Sequence, residues 1–500
     1  MSVEPDAYYP LNLSTLPPSW VTEWLGDVAV EVQPGFASGA HNEEGEGVPH
    51  LRMMNVTREG NLDLARLKYV ETPKKIRIRR GEVLFTNTNS YELVGKTAAF
   101  LRNGDWALSN HMTRIRLPDD FSPQFVARQL HLLWMLGYFR HRCTRYVNQA
   151  SFGSRTLGST VPLIVAPLNE QRRIVDALET ELTRLDTAVA ALGRVRATLS
   201  RYRASLLASA FRGEVVPSEH ELAKTHGQAY ESGEELVARI LKERLSSSEM
   251  KTSRKTRNGG GMFQSSSGSR LLPAGWVWSP FGNVATVESD LVDPREYRNS
   301  PHVAPDNIEG WTGRLLPCRT IEEDGITSAN HRFRQGMIIY SKIRPYLAKA
   351  TVAPFDGLCS ADMYPVSTPL VSRFLLYWML TTEFVHHATA RQGRSLLPKI
   401  NQEELTSLPV PVPPLVEQDR IVTEVERRFS LADEVQVELG TGLMRCVHLR
   451  QSILKTAFEG RLVPQDLSDE TAKALMERIK RQRSETCAPT SRERRFADVA

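Results

Sequence analysis

The chain contains a long segment of itself twice. Residues 167–217 align with residues 414–464 at a constant shift of 247, without a gap, and 19 of those 51 positions are identical. The opening Pro167-Leu168-Asn169-Glu170-Gln171-Arg172-Arg173-Ile174-Val175 returns as Pro414-Leu415-Val416-Glu417-Gln418-Asp419-Arg420-Ile421-Val422. The ending Ala210-Phe211-Arg212-Gly213-Glu214-Val215-Val216-Pro217 returns as Ala457-Phe458-Glu459-Gly460-Arg461-Leu462-Val463-Pro464. Self-similarity at one fixed shift means one structural unit built twice. Upstream of each copy the match weakens and the shift drifts. Leu16-Pro17-Pro18-Ser19-Trp20 matches Leu272-Pro273-Ala274-Gly275-Trp276, and Gly81-Glu82-Val83-Leu84-Phe85-Thr86 matches Gly336-Met337-Ile338-Ile339-Tyr340-Ser341. Alike segments preceded by unlike modules separate a shared structural role from two different recognition roles.

The repeated segments read as long helices. Leu178, Leu185, Leu192, Leu199 and Leu206 recur every seven residues from Asn169 to Arg212, with Val175, Leu182 and Val189 as a second row. Val195 and Tyr202 continue the stripe less regularly. The second copy carries Val425, Ala432, Leu439, Cys446 and Ile453 at the matching positions. This narrow stripe is the seam of a coiled coil. Pro167 and Pro414 suit a helix entrance, and Gly213 and Gly460 suit a left-handed cap. Each helix of about 44 residues runs roughly 66 Å at 1.5 Å per residue. Neither stripe can be covered by its own small module, so the other helix is the expected partner. Gly193 and Gly440 fall near the two midpoints; either they permit close approach where the helices cross or they are tolerated weak spots in a helix interior.

The modules read as α+β: short strand-like runs such as Val83-Leu84-Phe85, then apolar helical runs at His131 to Phe139 and Phe374 to Leu380. The expected order is a first module over 1–166, a long helix over 167–217, and a short helix with a Ser/Gly/Lys-rich linker over 218–271. A second module over 272–413, a second long helix over 414–464 and a helical tail over 465–500 follow. Glu234 to Arg244 resembles Glu470 to Arg481 in the tail. A net charge of +5 suits a nucleic-acid partner without proving one, because binding needs clustered charge. The five cysteines show no C-x-x-C spacing, so reduced thiols are expected, with neither a zinc site nor a disulfide framework. Neither a secretory signal nor a membrane span is expected, and a cytoplasmic location follows.

Over nearly its whole length this layout resembles the specificity subunits of Type I restriction-modification systems, the HsdS family. The carrying motifs are the two Leu-Pro-x-x-Trp openings, the run Tyr340-Ser341-Lys342-Ile343-Arg344-Pro345-Tyr346-Leu347-Ala348-Lys349, and the duplicated Pro-Leu-x-Glu-Gln-x-x-Ile-Val and Ala-Phe-x-Gly-x-x-Val-Pro. The resemblance implies two target-recognition domains, each reading half of a split site in double-stranded DNA. It implies that the two long helices pair as an antiparallel coiled coil with pseudo-twofold internal symmetry. It also implies two methyltransferase (M) subunits, which modify adenine N6, and two restriction (R) subunits. This chain is then non-catalytic and binds no cofactor; S-adenosylmethionine, and ATP with Mg2+, belong to the partner subunits. The helix-pairing residues are Leu178, Leu185, Leu192, Leu199, Leu206, Val425, Leu439 and Ile453.

The residues agree with a DNA reader. Lys342, Arg344 and Lys349 follow a strand-like run, with Tyr340 just before them and Tyr346 among them. Arginine pairs bidentately with guanine and lysine neutralises phosphate. The first module has Thr86, Asn87, Asn89 and Lys96 in this region, and Asn suits adenine edges. The basic run Lys74-Lys75-Ile76-Arg77-Ile78-Arg79-Arg80 places Arg77 and Arg79 on one strand face. Arg391 and Arg394 form a further candidate loop, matched loosely by Ser151 to Arg155.

Catalytic motifs fail. Gly95-Lys96-Thr97 has Ser90 where a phosphate-binding loop needs glycine. Pro305-Asp306 with Glu309 has Trp311 where a nuclease site needs lysine. Adjacent His386 and His387 diverge on a helix and lack a third metal ligand. The rival readings are a divergent methyltransferase or nuclease acting alone, and a coiled-coil adaptor without DNA specificity. Methyl transfer by the isolated chain would favour the first. Absence of duplex preference would favour the second, because phosphate contacts make a DNA reader steeply salt-dependent.

Overall fold

A computed structural model describes residues 7–38, 40–71, 77–249, 271–390 and 398–486. It divides into two compact units, one of Met1–Leu192 with Thr441–Ala500, the other of Gly193–Gly440. Both repeated segments are helical, over Leu168–Ala210 and Leu415–Phe458. Each long helix therefore begins in one unit and ends in the other. Gly213 and Gly460 follow the helix ends with φ of 74° and 71°, the left-handed backbone that glycine adopts without strain.

Each unit holds one mixed helix-and-sheet module, closed by its first and last strands. Val21–Trp24 pairs antiparallel with Pro162–Val165, and Val277–Pro280 pairs with Pro409–Val412. Between them the first module has a four-stranded sheet in the order Glu31–Pro34, Met112–Arg116, Glu82–Thr86, Thr97–Phe100. The second module repeats it as Thr286–Val287, Met363–Ser367, Ile338–Ser341, Ala350–Val352. The strand-like run after each opening is fully buried, which accounts for its continuous apolar character. A second four-stranded sheet follows in each module, sharing a parallel pair: Val48–Leu51 with Trp106–Leu108, and His302–Val303 with Gly357–Cys359. The modules differ at the edges of this sheet, where Lys68–Val70 extends one side in the first and Leu291–Val292 the opposite side in the second.

The repeated motifs meet at one junction in each unit. Trp20 Nε1 donates to a carboxylate oxygen of Glu170 at 2.9 Å, and Trp276 Nε1 donates to Glu417 at 2.8 Å. The second carboxylate oxygen takes a donor from the segment that follows the other long helix. In the first unit this is Gln465 Nε2, and in the second the backbone N–H of Glu219 at 2.8 Å. Arg173 pairs with Asp469 at 2.8 Å, and its repeat equivalent Arg420 pairs with Glu219 at 2.6 Å. The neighbouring glutamines hold the module: Gln171 accepts from the Ser122 N–H at 3.1 Å, and Gln418 from the Val371 N–H at 3.0 Å. Each thereby fixes the entrance of a buried helix, Pro123–Met135 or Ser372–Met379. Burial pushes the Glu170 and Glu417 carboxyls above the usual carboxylate range, and the indole donors oppose that rise.

The far end of the other helix completes each junction. A side chain on Gly460 would collide with Pro17, and one on Gly213 with Pro273. Phe458 packs on Phe125 with ring centroids 5.1 Å apart, and Phe211 packs on Phe374 at 5.0 Å. The Leu-Pro-x-x-Trp segment thus touches the start of one long helix through its tryptophan and the end of the other through its proline. The helices Ala472–Thr486 and Gly233–Glu249 dock alongside, where Ala472 N–H donates to Ser19 O and Gly233 N–H donates to Gly275 O.

Contacts between the long helices occur inside each unit. Asp186 pairs with Arg450 in the first, and Leu192 lies against Gly442. In the second, Arg203 pairs with Asp433 at 2.5 Å and stands over the Phe429 ring at 5.2 Å. The 247 shift converts Asp186 to Asp433 and Arg203 to Arg450, so the two ion pairs are copies of each other. Leu178, Leu185, Leu206, Val425 and Leu439 are buried, while Leu192, Leu199 and Ile453 are half-buried. Val189, Val195 and Tyr202 face solvent instead of continuing the stripe. Close approach at Gly193 and Gly440 is not found: a Cβ at either would meet nothing within 4 Å. The small residue facing the opposite helix is Gly442.

Replacing Trp20 or Trp276 by Phe keeps the aromatic volume and removes one donor from a buried carboxylate. Each substitution is predicted to lower unfolding free energy by about 1–3 kcal/mol in chemical denaturation. A neutral result would show that the indole donors do not hold the junction.

Candidate nucleic-acid interface

In the second unit the strand Ile338–Ser341 feeds a tight loop that carries most of the cations expected there. Pro345–Leu347 forms a single 3-10 turn, flanked by Arg344 at φ 48° and Ala348 at φ 47°. Trp311, at φ 66°, donates its N–H to the Ala348 carbonyl at 3.1 Å. These are the only non-glycine residues with positive φ among the described residues. Each such conformation costs on the order of 1–3 kcal/mol and persists only where the surroundings impose it. Here the restraint is visible. Arg344 N–H donates to Pro398 O at 2.8 Å, Ile400 N–H to Lys342 O at 2.9 Å, and Ser341 N–H to Lys349 O at 2.9 Å.

The loop's cations divide by role. Lys342 Nζ donates to Ala361 O at 2.5 Å and stands 5.3 Å from the Tyr364 ring centre. Lys349 Nζ donates to Pro305 O at 2.6 Å and lies 3.5 Å from Asp306. Both lysines tie the loop to its own module. Arg344 is exposed, and no ion pair involves it among the described residues. Tyr346, two residues on, is 47% exposed, and Trp311, whose N–H reaches the end of the turn at Ala348 O, is 42% exposed. The result is a braced turn presenting one guanidinium and two aromatic faces. Tyr340, by contrast, is buried. Trp311 in this role escaped the sequence reading, although Gly310 and Gly313 on either side of it marked a tight turn.

In the first unit the corresponding candidates separate. Thr86, Asn87 and Lys96 are interior residues, which corrects their expected place on the surface. Asn87 Nδ2 donates to Asn110 O at 3.1 Å and to Thr113 Oγ1 at 3.0 Å. Lys96 Nζ donates to the Met53 and Val56 carbonyls, and burial lowers its pKa. A lysine against backbone carbonyls serves the fold. Asn89 is half-buried on Thr88–Asn89, and its side chain accepts from the Ser90 N–H at 2.8 Å. Arg77 pairs with Asp105 at 3.2 Å. Arg79 is exposed just beyond the Arg77–Ile78 strand, and Arg155 is exposed on Ser154–Thr160. Lys74, Lys75, Ile76, Arg391 and Arg394 lie outside the described residues.

Hydrogen bonding also corrects the match between the two modules. Phe152 N–H donates to Asn87 O at 2.8 Å, as Ile400 N–H donates to Lys342 O. Phe152 therefore corresponds to Ile400, and Ser151 to Arg155 no longer match Arg391 to Arg394. In this register 15 residues lead from Phe152 to Pro167 and 14 from Ile400 to Pro414, so the two stretches are nearly equal in length. Among the described residues no group of three or more His, Cys, Asp or Glu could hold a metal ion, and no helix is long and apolar enough to cross a membrane.

Arg344→Gly should relieve backbone strain and raise or preserve the melting temperature while weakening duplex binding. Lys96→Met should do the reverse, losing about 1–3 kcal/mol of stability through the abandoned carbonyls. Thermal melts beside duplex titrations separate the two. An Arg344→Gly protein that is less stable but binds normally would contradict the assignment.

No family model matches the chain. It is 37% identical over 346 residues to the Type I restriction enzyme EcoDI specificity subunit of Escherichia coli, covering 65% of this chain and 72% of that one. The EcoBI specificity subunit of Escherichia coli is 23% identical over 523 residues, 97% of each chain. A solved structure from work on complex assembly and conformational transition of the type I R-M system aligns with a TM-score of 0.57 at 19% identity, covering 89% of this chain and 99% of that one, a likeness of fold. The duplicated helices, the shared junctions and the EcoDI relative agree: this chain belongs to the specificity subunits of type I restriction enzymes, the non-catalytic component of those complexes.

Proposed function

We propose that the chain reads a bipartite, asymmetric target in double-stranded DNA, each module facing one half-site. One observation carries this reading. The two junctions are copies of each other, whereas the faces their modules present are chemically different. The second module offers Arg344, Tyr346 and Trp311 on a strained turn, and the first offers Arg79, Asn89 and Arg155. Arginine suits guanine and asparagine suits adenine, so two unlike half-sites follow. Lys342 and Lys349 position the turn, and phosphate contacts supply the salt-dependent part of the affinity. Arg77, Arg391 and Arg394 remain candidates for backbone contacts.

The long helices pair as an antiparallel coiled coil with pseudo-twofold symmetry. Support comes from the direction of the contacts: going from Asp186 to Leu192 along the first helix, the partners go back from Arg450 to Gly442. Leu431, Val437, Met444 and Leu449 remain more than half exposed on the second helix. Exposed apolar side chains on a helix suit protein partners. Two methyltransferase (M) subunits, carrying S-adenosylmethionine for adenine N6 methylation, are the proposed occupants. Two restriction (R) subunits with ATP and Mg2+ would add cleavage of unmodified DNA in the cytoplasm. The module limits 1–166 and 272–413, with helices over 167–217 and 414–464, are the proposed exchangeable parts.

The test replaces residues 272–413 by the matching module of another specificity subunit and maps methylated adenines in cells that also supply the methyltransferase partner. One half-site should change and the other remain. A change in both would show that the modules do not read independently.

A further inference from the structure

The first module carries a β-hairpin that the function so far leaves unused. Thr144–Arg145 pairs antiparallel with Ala150–Ser151, and Tyr146 N–H donates to Gln149 O at 2.7 Å, so Val147 and Asn148 form the tip. The base is firm. Ala150–Ser151 also pairs with Thr88–Asn89, Ala150 is buried, and Phe152 packs against Phe139 at 5.2 Å. The tip is bare: Val147 is fully exposed, Tyr146 is 63% exposed, and Asn148 and Gln149 face solvent. Arg145 lies over the Tyr91 ring at 3.6 Å, which holds its guanidinium plane while leaving the N–H edges open.

The surrounding sequence is one-sided in charge. Between Asp120 and Glu170 there is no Asp or Glu, and the stretch holds five arginines: Arg128, Arg140, Arg142, Arg145 and Arg155. Arg128 is buried and paired with Glu179, while Arg140, Arg145 and Arg155 are exposed with no ion pair among the described residues, and such exposed cations favour a polyanion over a protein surface of mixed charge. A two-stranded ribbon fits the major groove of duplex DNA. Asn and Gln pair bidentately with adenine, and an apolar tip contacts the thymine methyl.

We propose that the Thr144–Ser151 hairpin enters the major groove of the first module's half-site, with Asn148 and Gln149 reading adenine edges, Val147 contacting a thymine methyl, and Arg145 holding phosphate. This rests on the DNA-reader function and adds the residues that set specificity in that half-site. The hairpin stands beside Asn89, whose strand pairs with Ala150–Ser151.

The test uses the full complex with its methyltransferase partner, and maps methylated adenines for the unaltered chain, for an Asn148→Ala/Gln149→Ala chain and for a Val147→Ser chain. Every replaced side chain is exposed, so melting temperature and co-purification with the partner should be unchanged. Discrimination is predicted to fall roughly tenfold or more at one to three adjacent base pairs of one half-site, with the other half-site untouched. Unchanged motifs in both variants would overturn the hairpin proposal and leave the reader function standing. Uniformly weaker modification with the same base preferences would also overturn it, because that is the signature of phosphate contacts alone. An unaltered complex that modifies no split target would overturn the reader function and the hairpin with it.

Discussion

Each unit depends on one buried carboxylate. Glu170 and Glu417 sit in the first turn of their helices, where the helix dipole favours negative charge. Each takes a tryptophan N–H from the module's opening and a second donor from the segment after the other long helix. A buried charge left without those donors would be strongly unfavourable, so the partners arrive together or the junction fails. The glycine and proline packed on the far side add a steric condition to the electrostatic one. Three chain segments distant in sequence are thereby fixed at one point, and the same point is built twice.

Between the junctions the modules are free to diverge. Their shared sheets and closing strands carry the core, while edge strands and loops differ. The second module invests backbone strain at Arg344, Ala348 and Trp311 in a turn where Arg344, Tyr346 and Trp311 are exposed. The first builds a ribbon whose tip buries nothing. Both devices place polar and aromatic groups where the fold gains little from them, the usual relation between a rigid scaffold and a recognition surface.

Much of this was legible in the sequence, and the reason is physical. The duplicated segments were readable because helices that meet the same partners twice keep the same Glu, Gln, Arg and Gly. The helix limits and the glycine caps followed from periodicity and backbone preference. What could not be read was which polar residues turn inward. Lys96 and Asn87 look like surface chemistry in sequence, but carbonyls contributed by Met53, Val56 and Asn110 bury them, and no local pattern announces such distant partners. Gly193 and Gly440 left two readings open for a similar reason: a midpoint glycine says nothing about which helix face it occupies, and Gly442 faces the other helix instead. The hairpin tip was missed because Tyr146-Val147-Asn148-Gln149 holds neither Gly nor Pro, so nothing in it marks a turn.

In the proposed function the two long helices set the spacing between the half-sites that the two modules read. The direct measurement is to delete residues 193–199 and 440–446 together, one heptad from each helix, and map methylated adenines in the complex. Seven residues span about 10.5 Å, so the half-site bases should persist while the spacer shortens by roughly three base pairs. An unchanged spacer with both half-sites still read would contradict it.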